Sequence, residues 1–350
     1  MEFGVAFPSK VGDYEIVKLA ESLGFDQAWF FDSQMIYSDV YATMALAAHH
    51  TSHIKLATGV AVAATRIAPV IAHSIATIAQ LAPGRVELGL GNGNTARLTM
   101  GVQPVKLPVL KREIRTIKAL LQGKRTLHEY ENEKNYIEFL HPDNNFINLK
   151  HRIPITLSAF GPQTLKFCGE ECDSHLTWNI SKQELTSARA LLTKAAQEKG
   201  RGSELPTKGI FPLAILKDGE TKESASVLKS LAPFITNLLH VLCEWDDKLL
   251  PEDPRIASLA REYREYVDTI DKTERHLVLH EGHLIYSRPE ESKFITPEIA
   301  DVAAMVGSPD EILERIKNLE SAGLSHFAFQ VTDRAEEQIK DFAKTIIEKY

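Results

Sequence analysis

The chain has 350 residues, 44% of them hydrophobic and 25% charged, enough for one large α/β barrel or two medium domains around a full core. Its formal net charge of −7 offers no general polyanion-binding face, which argues against a nucleic-acid partner. Three cysteines do not make a disulfide framework, and no apolar run approaches the ~20 residues needed to cross a bilayer.

The opening MEFGVAFP reads as a strand over residues 3–7 and not as a basic-then-apolar leader, so a cytoplasmic protein is expected. An amphipathic helix follows at 14–23, ended by Gly24, then a strand at 25–31 and a helix at 41–50. Residues 55–62 are rich in β-branched and apolar side chains and predict a third strand. From 66 to 81, Val70, Ile71, Ile75, Ile78 and Leu81 recur at helical spacing. Pro83-Gly84 stops that helix, and a fourth strand begins at Val86. Gly91-Asn92-Gly93-Asn94 then leaves backbone amides unshielded, an arrangement suited to an anion such as phosphate. It is not a dinucleotide fingerprint, because it follows a fourth strand and Ala96 fills the third glycine position.

After a helix at 109–121 the rhythm breaks at 125–150, a polar and partly extended excursion with hairpin character. A strand at 154–158, a helix at 161–171, a strand at 174–178, a helix at 183–197 and a strand at 209–216 resume it. Cys168 and Cys172 lie four apart on the first of these helices, where one-turn packing explains them better than a metal site. Residues 228–266 predict two or three helices broken at Pro233, Pro251 and Pro254, with Glu244 to Asp247 as a solvated helix end. Residues 276–286 are irregular and histidine-rich. Ser308, Pro309 and Glu311 then signal a capped helix to residue 322, Gly323 stops it, and a strand at 326–331 and a helix at 336–350 close the chain. Eight strands in alternation predict a (β/α)₈ TIM barrel, a single domain over 1–350 with a mostly helical insertion at about 220–300 between strands seven and eight. A doubly wound open sheet is the alternative.

Four blocks run through most of the chain: AESLGFDQAWFFD; TGV with TR, P and IATIAQLAPGRVELGLGNGN; SAFGPQTLKFCGE; and GSPDEILERIKNLESAGLSHFAFQ. On these residues the chain resembles the bacterial luciferase-like superfamily of flavin- and deazaflavin-dependent oxidoreductases, nearest the branch with methylenetetrahydromethanopterin reductase. The resemblance implies a reduced flavin-type cofactor at the C-terminal mouth of the barrel. Coenzyme F420, a deazaflavin, is favoured, with hydride transfer to or from a small organic substrate. FMN in an oxygen-using monooxygenase is the alternative, and a flavin-binding protein without turnover a further one. The expected partners are that small molecule and a second copy of the chain in a dimer, with no membrane.

The resemblance also carries roles onto residues. Asp32 ends strand two, where deazaflavin enzymes usually have Asp followed by His; here Ser33 follows. Gly59-Val60 matches a non-prolyl cis peptide that packs behind the ring system, and Asn92, Gly93 and Asn94 match the loop on the cofactor tail. Asn94 stands where many relatives have Asp. Ser158, Ala159, Phe160 and Gly161 match the loop after strand five, whose helix N-terminus suits phosphate, and Thr177 and Trp178 end strand six beside the same cavity. His280 and His283 lie in the segment expected to cover the barrel mouth, as substrate contacts or a proton donor near neutral pH. Blander readings stand beside these: Asp32 as a helix cap, the glycine loop as a plain turn, the two histidines as an ordinary surface loop. Arg66 pairs with cofactor phosphate or with a neighbouring carboxylate, and both readings stay open. No metal site is expected, since His49, His50 and His53 at a helix end lack a ligand pattern.

Overall fold

Eight apolar segments form strands and hydrogen-bond side by side until the last meets the first. In the computed structural model, which describes residues 1–202, 204–251, 253–332 and 334–350, these are β1 (Glu2–Phe7), β2 (Gln27–Phe30), β3 (Lys55–Thr58), β4 (Val86–Gly91), β5 (Ile155–Ser158), β6 (Ser174–Trp178), β7 (Thr207–Ile215) and β8 (Leu324–Gln330). Each pairs with the next in chain order and β8 returns to β1, closing the parallel ring of a (β/α)₈ barrel. Strands such as β1 and β4 are buried along both faces, which is why they read as nearly continuous apolar runs.

The described residues group into two compact units, Met1–Ile210 with Leu319–Ala328, and Phe211–Asn318 with Phe329–Tyr350. The first unit holds β1 to β6, β7 as far as Ile210, β8 as far as Ala328, and the helices α1 (Tyr14–Ser22), α2 (Val40–His50), α3 (Ala68–Leu81), α4 (Asn94–Leu98), α5 (Leu107–Leu121), α6 (Pro162–Glu171) and α7 (Lys182–Glu198). Asp39 caps α2 through the N–H groups of Tyr41 and Ala42, and Ser181 and Glu184 form a capping box on α7. The excursion contains an antiparallel ribbon, Thr126–Tyr130 with Glu133–Ile137. Helix α3 differs from its sequence reading. Val70 and Leu81 are exposed at 44% and 47%, and the buried face combines Ile71, Ile75 and Ile78 with Ala72, Ala76 and Ala79. The alanines let the helix backbone approach its neighbours, a contribution that a count of large apolar residues overlooks. The third strand is also shorter than read: it stops at Thr58, turns through Gly59-Val60, and resumes as Ala61–Val62 against β4.

The second unit contains α8 (Ala225–Leu242), α9 (Pro254–Asp268), α10 (Arg275–His280), α11 (Pro297–Ala303), most of α12 (Pro309–Ser321) and α13 (Ala335–Thr345). Pro233 lies inside α8 instead of ending it. Burial of Leu231, Phe234, Ile235 and Leu239 among α9 and α11 side chains holds the helix despite the missing N–H. Contrary to the sequence reading, α8 is long and apolar enough to cross a membrane by length and composition, with 18 residues and a mean hydropathy of 1.3; its apolar face is the core of this unit. Residues read as irregular also form α10, and Met305–Gly307, too short to register as a strand, pairs with the end of β7.

Inside the ring, the N-terminal halves of the strands carry a buried polar network. Lys208 Nζ on β7 lies 2.6 Å from Glu87 Oε2 on β4, and Gln27 on β2 donates to the same oxygen at 2.9 Å. Lys208 also donates to Gln27 Oε1 at 3.2 Å, and Thr156, itself bonded to Ser174, donates to Glu87 Oε1. Burial alone raises the Glu87 carboxyl; Lys208 and the amide and hydroxyl donors outweigh it and hold the group below its ordinary value. Beside this network Trp29 Nε1 donates to His326 Nε2 at 3.0 Å, and a side chain at Gly4 would meet that nitrogen at 2.5 Å.

Replacing Glu87 with Gln strands a buried ammonium, so E87Q is expected to lose about 3–5 kcal/mol in urea denaturation at pH 7. Because the folded carboxyl lies below its unfolded value of 4.5, its contribution is present above that pH and is lost as pH falls through the folded value. The gap between wild type and E87Q therefore narrows below about pH 4.5. A gap that is flat from pH 7 to pH 3 would show that Glu87 is not an ionised partner.

Candidate functional site

Because the ring strands are parallel, the loops after β2 to β6 emerge at one end of the first unit. Asp32, Gly59-Val60, Asn92 to Asn94, Ser158 to Gly161, and Thr177 with Trp178 all lie at these strand ends or in the loops that follow them.

Asp32 leaves the end of β2 almost fully buried, at 4% exposure. Arg66 Nη1 donates to its two oxygens at 3.0 and 2.8 Å, and Gln34 Nε2 donates to Oδ1 at 2.5 Å. The other terminal nitrogen of Arg66 lies 2.5 Å from Asp39 Oδ2. Of the two readings of Arg66, the carboxylate pairing is the one formed. Burial pushes the Asp32 carboxyl above its ordinary value while Arg66 pulls against that shift. The Tyr41 hydroxyl, in the same cluster, is buried without a hydrogen-bond partner, and burial pushes its ionisation up, so it stays protonated. Asp39, not Asp32, caps the second helix.

The Gly59-Val60 bond is cis, and Gly59 N–H donates to Phe30 O at 2.6 Å. A side chain at Gly59 would stand 3.1 Å from Trp29 Cβ. On the next strand, a Cβ at Gly89 would meet Thr58 O at 2.1 Å, at Gly91 the Val60 side chain at 2.6 Å, and at Gly93 the Val62 side chain at 2.2 Å. Gly93 also takes a left-handed conformation, φ 72°. These glycines are therefore required by the chain's own close packing, which the phosphate reading of the loop had not anticipated. Asn92 and Asn94 on either side of Gly93 are exposed, and Asn92 O accepts from Val105 N–H at 2.9 Å. Arg97 donates to Ala64 O at 3.3 Å and Thr99 to Gln34 O at 3.4 Å, tying the β4 loop to the loops after β3 and β2.

After β5, Ser158 is half-buried, Ala159 buried, and Phe160 and Gly161 exposed. Gly161 caps α6 with no side chain over the helix end, and the space where its Cβ would stand is open. His175, in the interior of β6, sits 2.8 Å from Ala159 O. Burial lowers its pKa to about 4, so the neutral ring donates and fixes the Ala159 carbonyl. That residue escaped the sequence reading, because a histidine inside a short strand carries no signal of which way it faces. Thr177 is buried and Trp178 half-buried at the end of the same strand.

His280 and His283 are not on an exposed loop. They lie in the second unit at 8% exposure each, with His280 5.8 Å from the His240 ring and 5.7 Å from the His283 ring between centroids. His240 Nε2 lies 3.3 Å from Glu291 Oε1, which also accepts from Tyr263 Oη at 2.5 Å. Burial and the neighbouring imidazoles lower His280 to about 4 and push His283 well down. Both rings are neutral at pH 7, so neither is the protonated donor near neutral pH that the sequence reading expected. The same unit holds a cavity of about 60 Å³ lined by Lys217, Ser226, Arg334 and Glu337 among others; its charges are engaged with one another, Lys217 and Arg334 both with Glu337.

The family model described as "Luciferase-like monooxygenase" matches residues 8–326. Over 236 residues the chain is 32% identical to the 5,10-methylenetetrahydromethanopterin reductase of Methanolobus tindarius, covering 65% of this chain and 69% of that one. It is 26% identical over 330 residues to the F420-dependent glucose-6-phosphate dehydrogenase of Kineococcus radiotolerans, covering 85% and 93%. The solved structure of the coenzyme F420 dependent tetrahydromethanopterin reductase from Methanopyrus kandleri superposes with a TM-score of 0.71 at 20% identity, covering 100% of this chain and 99% of that one. With a match that extends over nearly its whole length, the chain belongs to the bacterial luciferase-like family.

Proposed function

We propose that the protein is an F420-dependent oxidoreductase acting on a small organic molecule at the C-terminal end of the ring. The observation that carries this reading is the convergence of five consecutive loops, after β2 to β6, on one end of the first unit. They place a buried carboxylate, the Gly59-Val60 segment and an uncapped helix end there together. Two F420-dependent relatives support it. The residues fit such a cofactor: Asp32 and Val60 would flank the ring system, and the α6 N-terminus at Gly161 with the exposed Asn92 and Asn94 would meet the anionic tail. When bound, the deazaflavin supplies two-electron hydride transfer to or from the substrate. The chain's part is to orient that ring, exclude water and hold a charge beside it at Asp32. Thr177, Trp178, Ser158, Ala159 and Phe160 complete the proposed lining. The reading includes a cytoplasmic homodimer without nucleic-acid or membrane partners.

An FMN-dependent monooxygenase is the second reading, favoured by the description of the matching family model. A flavin-binding protein without turnover is less favoured, because such proteins tend to lose barrel elements and this ring has all eight strands. Titrating the purified protein with F420 and with FMN, followed by absorbance and fluorescence, separates them. Saturable F420 binding with substrate-dependent bleaching or recovery of its absorbance is expected. Binding of FMN alone would support the monooxygenase, and binding of neither would overturn the proposal.

For His280 and His283 the reading is a role in turnover as neutral imidazoles, not in cofactor binding. Separate alanine substitutions are expected to lower turnover by about 10²-fold for whichever ring takes part in the reaction, with F420 affinity little changed. Matching losses of activity and of thermal stability in both variants would assign them to the packing of the second unit instead.

A further inference from the structure

One arginine joins two loops of the candidate site. Arg66, on the loop after β3, directs one terminal nitrogen to Asp32 at 2.8 Å and the other to Asp39 at 2.5 Å, and its guanidinium lies 5.1 Å over the Tyr41 ring. Asp39 is already anchored, accepting from the N–H groups of Tyr41 and Ala42 at 3.0 Å each. The planar fork therefore runs from the end of β2 to the first turn of α2. Both loops it joins hold a non-glycine residue in the left-handed region, Met35 at φ 72° and Ala64 at φ 77°. Such conformations persist where surrounding contacts enforce them.

We propose that Arg66 is a positioning residue for the reaction, fixing the Asp32 carboxylate at the end of β2 and holding the loop from 32 to 39 against α2. The inference rests on the reading of these strand ends as the cofactor site. The alternative, that Arg66 binds the cofactor's phosphate, meets two obstacles in the geometry. Both of its terminal nitrogens already face carboxylates, and the cluster of two carboxylates with one guanidinium carries a net negative charge that repels an anion. A lysine cannot replace it, because a single ammonium cannot span both partners in the plane that the fork occupies.

The groups facing Asp32 are Arg66 from the β3 loop, Gln34 from its own loop, Asp39 at the cap of α2, Tyr41 from α2, and the Val62 N–H from the segment following β3. Burial and Asp39 push the carboxyl up, and Arg66 and Val62 pull it down. Removing the guanidinium leaves burial and Asp39 opposed by the Val62 N–H, with no ion-pair partner.

The test is a ¹³C-carboxyl NMR titration of aspartate-labelled free protein, with Asp32→Asn used to assign the Asp32 signal. In Arg66→Gln the Asp32 midpoint is expected to rise by about one pH unit or more, with a smaller rise in Arg66→Lys and a fall in Asp39→Asn. In steady-state assays with F420, the acid limb of the kcat/KM profile should move with the NMR midpoint. Turnover of R66Q should drop about 10-fold or more while F420 affinity stays within about 3-fold. An unmoved Asp32 midpoint would overturn the inference, as would a large loss of F420 affinity with turnover intact, which would make Arg66 a phosphate ligand. If R66Q does not fold, R66K and D39N carry the same comparison. Failure of the wild type to bind F420 would overturn the cofactor reading alone, and the NMR midpoints would still decide the coupling of Arg66 to Asp32.

Discussion

Lys208 and Glu87 meet inside the ring, 2.6 Å apart, from strands that are not neighbours in it. Taking two charges out of water costs several kcal/mol per ion, and the attraction between them repays this only when the remaining hydrogen-bonding capacity is also filled. Gln27 and Thr156, from two further strands, fill it. The pair is thus satisfied only when β2, β4, β5 and β7 are all in register. A slip by one residue in any of them turns its polar side chain out of the interior. Ring closure and the burial of these charges are one condition.

With the strand N-termini committed to that network, the other end of the first unit is built differently. Glycines at 89, 91 and 93 let β4 and its loop press against Thr58, Val60 and Val62, so that the chain turns through Gly59-Val60 with side chains almost absent. Arginines tie the loops there: Arg66 reaches the carboxylates of Asp32 and Asp39, and Arg97 the backbone carbonyls of Ala64 and Gln103. The loops are stitched to one another as well as to their own strands, and a buried carboxylate and an unpartnered buried phenol lie among them. Close packing and ion pairs between loops hold their positions within narrow limits, which is what the proposed placement of a cofactor ring would need.

Much of this was legible in the sequence, and the misreadings have physical causes. Alternation of β-branched runs with helical spacing is local, and it marked all eight ring strands. Pro233 was read as a break because propensity was judged without the burial of Leu231 and Phe234 that overrides it. Val70 and Leu81 were read as core because the alanines that form the true face of α3 carry little apolar weight. At the site, Asp32 and Gly59-Val60 stood out by motif. Arg66, 34 residues from Asp32, did not reveal which partner it takes, because pairing across loops leaves no periodicity. Lys208, Glu87 and His175 sit in strand segments where a charged or polar residue reads as solvent-facing, and only ring closure turns them inward.

The central claim is that the loops after β2 to β6 form the cofactor site. A crystal structure of the protein grown with F420 tests it most directly. The account requires the deazaflavin ring to lie within van der Waals contact of Val60 and beside Asp32, with the tail's phosphate near the amides at Gly161 or the loop at Gly93, and the Arg66 bridge intact. A ring bound elsewhere, or a phosphate taken by Arg66 with Asp32 released, would contradict it.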